Sequence, residues 1–446
     1  MNFNGGHLLK RTVERGKTLL VDGPASVTVL SGNVEVFGSR ANVANKIVIR
    51  EGKRMPFTVN ETACFDISLA EKANAEEAEG NTVPPSWIMA YEELSSMQPK
   101  PSNVMVLGTV DSGKSSLCTY LINRFLVQKK KIGVLDGDLG QSDIGPPCTV
   151  SYTYVMKPIT DLFSLQAKNA IFIGNTSPNG AVDRVINGLT QLKLEILTGN
   201  PDFVVVNSDG WVEGDEAVKY KTELVEKISP DVVLCIQQKD EMAKLVDSLE
   251  KFRKIAVQPP SVARQRSGES RKNMRELGYT KYLRNAKVQS FPLGWLKIEN
   301  NERFGLSKAH ENARTGRRIF ELLGMKPLHF AEQSDRISII IGRRRWINTE
   351  NLKKVEEATG KKVVVVRKGE EEGLLTALCN SKGKFLGIGI VQEIEYLRKT
   401  LKILTPVSQE VTAAVIGKVK LDKNMKEIPL LSEENQSELK AFSKVS

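Results

Sequence analysis

The sequence predicts an α/β protein: a central domain with a mostly parallel sheet, flanked by a small N-terminal all-β domain and a small β-rich C-terminal domain. Three observations carry this. Between residues 103 and 328, unbroken apolar runs alternate with helical stretches, as expected for parallel strands covered on both faces. The first of those runs leads into a glycine-rich octamer that opens a helix. On either side, short β-prone runs are punctuated by turn residues.

At 446 residues the chain is too long for one ordinary domain. A charged share of 26% and a hydrophobic share of 40% leave apolar material for sizeable cores. No apolar run approaches the ~20 residues that span a bilayer, and Met1-Asn2-Phe3-Asn4-Gly5-Gly6 lacks the charged-then-apolar layout of a secretion signal. The expectation is a cytoplasmic protein. Cys64, Cys118, Cys148, Cys235 and Cys379 form no C-x-x-C pair, which argues against a zinc site or disulfide framework and for buried reduced thiols. His7, His310 and His329 are far apart in sequence, which argues against a histidine metal site or a Ser-His-Asp triad. The net charge of +11 suits a polyanionic partner.

In order, residues 1–72 read as a β sandwich or barrel. Apolar runs at 19–21, 27–30, 34–37 and 46–49 are separated by Asp22-Gly23-Pro24, Ser31-Gly32-Asn33 and Gly38-Ser39. Residues 73–102 read as linker and lead-in helix. The stretch 71–85 is acidic and small-residue rich, as linkers are, and a helix over 87–97 is stopped at Gln98-Pro99-Lys100-Pro101. The central domain, 103–328, takes strands from the runs 104–107, 132–135, 170–173, 203–206 and 232–236. Residues 329–446 return to β character, with strands at 337–341, 363–366 and 385–391 and a helix near 349–359.

Gly108-Thr109-Val110-Asp111-Ser112-Gly113-Lys114-Ser115 fits G-x-x-x-x-G-K-[ST]. Strand before and helix after are the context this phosphate loop requires. The two glycines let backbone N–H groups turn toward phosphate oxygens, and the helix start, from Ser116 on, adds partial positive charge. Lys114 is expected on the β- and γ-phosphates of ATP and the Ser115 hydroxyl on Mg²⁺. After the next strand come Asp136 and Asp138 in Asp136-Gly137-Asp138-Leu139-Gly140-Gln141. Carboxylates at a strand's carboxyl end lie where open α/β sheets place ligands. At i, i+2 both would project to one side if the strand persists. One could then hold a metal-bound water while the other accepts a proton.

Taken together with the phosphate loop, D-x-D-x-G-Q resembles the polynucleotide 5′-hydroxyl kinase family. That family includes the RNA kinase of pre-mRNA cleavage and tRNA splicing complexes and ribosomal-RNA-processing relatives. Three further stretches in family order support the resemblance: Gly174-Asn175-Thr176-Ser177-Pro178, Asn207-Ser208-Asp209-Gly210-Trp211-Val212-Glu213-Gly214, and the arginine-rich 266–275. The resemblance implies transfer of the γ-phosphate of ATP to the 5′-hydroxyl of RNA, or of DNA, with Mg²⁺ as cofactor and with RNA-processing protein partners. It implies Asp138 as base and metal organiser with Asp136 close by. Gln141 would position the metal's water shell or the accepting strand, and Thr176 and Trp211 would clasp the acceptor nucleotide.

An indole in a glycine-flanked loop can stack on any base, although a tryptophan packed on its own domain is the competing reading. Between 253 and 287 the chain concentrates Arg253, Lys254, Arg264, Arg266, Arg271, Lys272, Arg275, Lys281, Arg284 and Lys287 against Glu269 and Glu276. A solvated helix face is the plain reading of such a run. As a lid, Arg266, Arg271 and Arg275 would supply cations to the migrating phosphoryl group and exclude water. The rival readings are a GTPase or ATPase switch, an ATP-binding scaffold, and a small-molecule kinase. A guanine reader would show N/T-K-x-D where the chain has Gln237-Gln238-Lys239-Asp240.

Overall fold

The structure, a computed structural model, describes residues 7–98, 102–128, 131–300, 302–304, 306 and 313–429, and all counts of elements are of these residues. The N-terminal hexapeptide, the prolines at 99 and 101, and His310 lie outside them. The chain divides into two compact units, one of Met1–Ile173 with Ser177–Gly278 and one of Gly174–Thr176 with Tyr279–Ser446. No helix among the described residues is long and apolar enough to cross a membrane. All five cysteines are free thiols, with Cys118, Cys148 and Cys235 buried.

The first unit opens with a seven-stranded antiparallel sheet. Its spine is the pair Ala25–Val36 and Arg54–Leu69, which runs the length of the sheet. Lys17–Asp22 pairs with one half of the second long strand and His7–Val13 with the other. The ladder shifts register around Ser31. Here Gly32 has φ of 93°, and a Cβ would lie 2.5 Å from the carbonyl oxygen of Thr62. A bulge at a glycine bends the paired strands so that they enclose Val27, Val29, Phe57 and Phe65. One expectation is corrected here. Within the supposed linker 71–85, Ala75–Glu79 forms an edge strand on Lys17–Asp22. Backbone bonding does not need apolar side chains, and the acidic composition is matched by basic neighbours: Lys17 lies 3.8 Å from both Glu77 and Glu79, and Arg54 2.8 Å from Glu76.

The central sheet runs in the order Asn169–Phe172, Thr149–Val155, Ile132–Asp136, Phe203–Asn207, Asn103–Gly108, Val232–Ile236 and Lys254–Val257. The last five are parallel. Thr149–Val155 and Asn169–Phe172 are antiparallel, so the run 170–173 is an antiparallel edge rather than a buried parallel strand. Alternation along Asn103–Gly108 shows why the central runs are apolar throughout. Val104 and Val106 join one core with Trp87, Leu117 and Leu121; Met105 and Leu107 join the opposite core with Leu189, Tyr220 and Leu224.

The lead-in helix is Pro85–Ser96, with proline at its first position. Trp87 on it is 1% exposed, donates from Nε1 to the carbonyl of Gln258 at 2.9 Å, and lies 6.0 Å from the Tyr120 ring. Asn123 joins the N-terminal sheet to this domain: its Nδ2 donates to the carbonyls of Phe37 (3.0 Å) and Ile159 (2.8 Å).

The second unit holds another seven-stranded sheet and a three-stranded one. The latter is His329–Glu332, Arg336–Ile341 and Lys362–Arg367. The helices Ala313–Leu323 and Thr349–Thr359 share its core through Ile319, Leu323 and Val355. The expected boundary at 328 is also corrected. Lys287–Pro292 pairs with Thr400–Thr405 and Lys297–Glu299 with Ala413–Leu421, so both belong to the C-terminal sheet. Their polar, interrupted sequence carries no strand signal of its own.

Trp87→Ala removes a fully packed indole and leaves the Gln258 carbonyl without its donor. We expect a loss of about 3–5 kcal/mol in the urea unfolding of the protein; a loss under ~1 kcal/mol would contradict the packing described.

Candidate active site

The phosphate loop is shaped by two left-handed residues, Asp111 (φ 62°) and Gly113 (φ 99°). A Cβ at Gly108 would fall 2.5 Å from Ser112 Oγ and 3.1 Å from Ile236 Cβ, and at Gly113, where φ is already left-handed, 3.0 Å from Pro260 Cδ, so both positions favour glycine. Thr109 and exposed Val110 form the outer limb of the loop, and Ser115 and Ser116 lie half-buried in the first turn of the helix Lys114–Val127. Ser112 Oγ is buried without a hydrogen-bond partner. Lys114 is 7% exposed, and its Nζ donates to the carbonyls of Gly108 (3.0 Å) and Thr109 (2.7 Å). Burial pushes its ammonium down to about 8; Asp138 opposes this and Lys221 adds to it.

The strand Ile132–Asp136 ends at the first aspartate, so the same-side projection expected of Asp136 and Asp138 does not occur. Asp136 is fully buried and turned into the scaffold. It accepts from Asn207 Nδ2 (3.0 Å) and from the amides of Asp138 (3.3 Å), Asp143 (2.9 Å) and Ile144 (3.2 Å). Burial, then Asp143 and Asp138, push its carboxyl up to about 7. Asp138 sits in the following turn, where Oδ1 accepts from the amides of Gly140 (3.1 Å) and Gln141 (2.9 Å). Burial raises its carboxyl, Lys114 pulls it back and Asp209 raises it further. Of the two aspartates, Asp138 is the one whose largest charge partner is the phosphate-loop lysine. Gln141 Nε2 donates to its neighbour Gly140 and, at 3.1 Å, to the carbonyl of Arg271, joining this turn to the arginine-rich segment.

That segment forms the helix Gly268–Tyr282 and the turn before it. The basic run is not one surface: Arg253 pairs with Glu93, Arg264 with Asp22, and Lys254 Nζ caps the carbonyls of Val246 and Leu249. What remains is specific. The amide of Arg266 donates to Asp111 Oδ2 at 2.9 Å, its Nε to Oδ1 at 2.6 Å, and its Nη2 also pairs with that carboxylate. Arg271 Nη1 lies 3.4 Å from Asp111 Oδ2 and donates to the carbonyl of Arg266 at 2.7 Å. Asp111 thus gathers Arg266 and Arg271 at the phosphate loop. Arg275, one turn further along, is half-buried in the same helix.

The loop after Phe203–Asn207 comes against the phosphate loop at Gly210, where a Cβ would lie 2.8 Å from both the nitrogen and Cα of Val110. The next residue, Trp211, is half-buried and stacked on Tyr220 with centroids 5.7 Å apart and planes at 27°. The packing reading of this tryptophan is thus realised on one ring face, which lies on Tyr220 of its own domain. Sequence reasoning missed what holds it. Asp209 accepts from the Trp211 amide (2.9 Å), Tyr220 Oη (2.8 Å) and the ammonium of Lys221 (2.7 Å). Lys221 is 0% exposed. Its signal was present: positions 217, 220, 221, 224 and 225 form the buried stripe of Asp215–Ile228, and a lysine on such a stripe needs a buried partner. Thr176 belongs to the second unit, where Gly174 accepts from the amide of Lys418 at 2.8 Å.

Among the described residues no group of three or more His, Cys, Asp and Glu side chains could hold a metal ion. A phosphate-loop site does not require one: a hydroxyl, a carboxylate, phosphate oxygens and water suffice for a hard divalent cation. Ser115 and Asp138 offer that donor chemistry.

Lys114 titrates lower folded than unfolded, so its cost to stability is fully present below about pH 8 and fades as pH rises toward the unfolded value near 10.5. Lys114→Met therefore stabilises the nucleotide-free protein at pH 7, by roughly 1–3 kcal/mol, and the gain shrinks between pH 8 and 10. Thermal melts across that range check the sign.

The family model described as mRNA cleavage and polyadenylation factor CLP1 P-loop matches residues 108–285. A polyribonucleotide 5′-hydroxyl-kinase of Pyrococcus abyssi is 28% identical over 362 residues, covering 79% of this chain and 97% of its own. One of Methanocaldococcus jannaschii is 26% identical over 353 residues, covering 77% and 94%. Danio rerio Clp1, also named a polyribonucleotide 5′-hydroxyl-kinase, is 25% identical over 301 residues, covering 64% and 66%. The solved structure of wild-type Clp1p with Pcf11p shares the fold, at a TM-score of 0.65 over 93% of this chain and 98% of that one, with 13% identity. The P-loop segment is thus similar to this family, and relatives named polyribonucleotide 5′-hydroxyl-kinase align with most of the chain.

Proposed function

We propose that this chain transfers the γ-phosphate of ATP to the 5′-hydroxyl of RNA, and that it works on RNA-processing substrates with protein partners. The observation that carries the reading is the assembly around one phosphate loop of a buried lysine, a carboxylate coupled to it and two arginines gathered by Asp111. Full-length relatives named for this activity support it.

In this reading residues 108–116 bind the triphosphate, with Lys114 leaving its loop carbonyls for the β- and γ-phosphate oxygens. Ser115 and Asp138 would hold Mg²⁺, which neutralises phosphate charge when bound; Asp136 orients that pair from behind. The 5′-oxygen forms a bond to the γ-phosphorus as the bond to the β,γ-bridging oxygen breaks. ADP leaves, and the hydroxyl proton passes to Asp138, whose carboxyl burial raises above its ordinary range. Arg266 and Arg271 exchange Asp111 for the migrating phosphoryl group, and Arg275 completes the lid. Gln141 and Trp211 receive the acceptor strand. The guanine-reading alternative finds no support at 237–240, where the amides of Gln238 and Lys239 both donate to Glu241 at 2.8 Å.

Incubation with γ-labelled ATP, magnesium and 5′-hydroxyl oligonucleotides tests the proposal. Label should appear on the 5′ end, and Lys114→Ala should lower transfer by at least about a thousandfold; label released only as inorganic phosphate would favour the switch reading. Trp211→Ala should raise KM for the oligonucleotide by roughly tenfold, the worth of one stacked base, while leaving KM for ATP within about twofold. Equal losses for both substrates would make Trp211 a packing residue only.

A further inference from the structure

The turn after the strand Lys46–Ile49 takes no part in the chemistry above, yet it buries a guanidinium. Arg50 is 8% exposed. Its Nε donates to Asp161 Oδ2 at 2.7 Å, and its Nη2 to Asp161 Oδ1 at 3.3 Å and to Asp143 Oδ1. The guanidinium lies 4.5 Å from the Phe163 ring centroid. Lys53 adds a second cation 3.5 Å from Asp161 and 4.0 Å from Asp143. Asp143 is the residue whose amide donates to Asp136, so its side chain is held by the N-terminal sheet and its backbone by the active-site scaffold.

The turn that offers Arg50 is itself fixed. Gly23 donates to the carbonyl of Lys53 at 2.9 Å, and a Cβ on Gly23 would fall 2.0 Å from the Arg50 oxygen, so no side chain is tolerated there. Two residues on, Gly52 (φ 75°) meets Met274 of the arginine-rich helix, its Cβ position 2.9 Å from Sδ. The same Met274 sulfur accepts from Arg266 Nη1 at 3.0 Å. One turn of the flanking sheet therefore touches two parts of the site, the loop that carries Asp138 and Gln141 and the helix that carries Arg271.

We infer that Arg50 is a positioning residue for phosphoryl transfer, holding the 137–144 loop in register through Asp143. The inference rests on the kinase reading above. Its physical basis is that a buried carboxylate stays in place only while paired. Arg50 can serve two carboxylates at once because its donors form a rigid fork. The bridge to Asp161 anchors the turn, and the bond to Asp143 reaches the loop. That division makes the two contacts separable.

Asp143→Asn cuts the reach to the loop and leaves the Arg50–Asp161 anchor, so it tests positioning without undocking the sheet. We expect kcat for 5′-hydroxyl RNA to fall about tenfold or more, as slight misplacement of a reacting group does, with KM for ATP changed less than about threefold. Hydrogen–deuterium exchange should quicken at the amides of 137–144 and stay unchanged in Ala25–Val36 and Arg54–Leu69. Arg50→Lys, which keeps the charge but not the fork, should show the same pattern, and Arg50→Met should add a lower melting temperature. Wild-type kcat in Asp143→Asn or Arg50→Lys, or exchange that quickens evenly across the unit, would overturn the inference. If the wild-type protein transferred no phosphate, the kinase reading would fall, and the exchange pattern would still decide whether Arg50 holds the loop.

Discussion

The site depends on one buried carboxylate. Asp136 ends a central strand and accepts four N–H donors: one from the neighbouring strand at Asn207 and three from the loop it precedes. An ionised carboxylate without water would be expensive here; with four donors it becomes the point at which the loop is fastened to the sheet. Asp138 is then presented in a tight turn toward the phosphate loop rather than extended along the strand. The two aspartates divide the labour that their i, i+2 spacing suggested they would share.

Around that knot the other loops are placed by complementary charge and by close backbone approach. Asp111 sits among anion-binding donors, and the arginines of the neighbouring helix supply its counter-charge. Lys221 does the same for Asp209 in the interior. In each case an acidic group on a loop is met by a base from another segment, far along the chain for Asp111 and in the next helix for Asp209.

Much of this was legible in the sequence because it rests on local rules. The phosphate loop declares itself by glycines at the two positions that favour them, and the central strands by apolar runs that feed cores on both faces. The helix Thr349–Thr359 lies where the sequence places one, with Asn348 capping its start and Gly360 its end. The failures share a cause. Ala75–Glu79, Lys287–Pro292 and Lys297–Glu299 are strands by virtue of their partners, far away in sequence, and their own composition is polar. Arg50 and Lys221 were overlooked for the same reason: a buried base gains its meaning from an acid that only the fold brings near.

Gly210 has a consequence for the spacing of two loops. Its Cα faces the Val110 backbone with no room for even a methyl group, so the loop bearing Trp211 and the loop meant for phosphate are as near as two main chains can come. No substitution at 210 can narrow that gap, and every one would widen it. The spacing of the two loops is therefore set by main chain alone, a ruler cut into the backbone that side-chain changes at 210 could only lengthen.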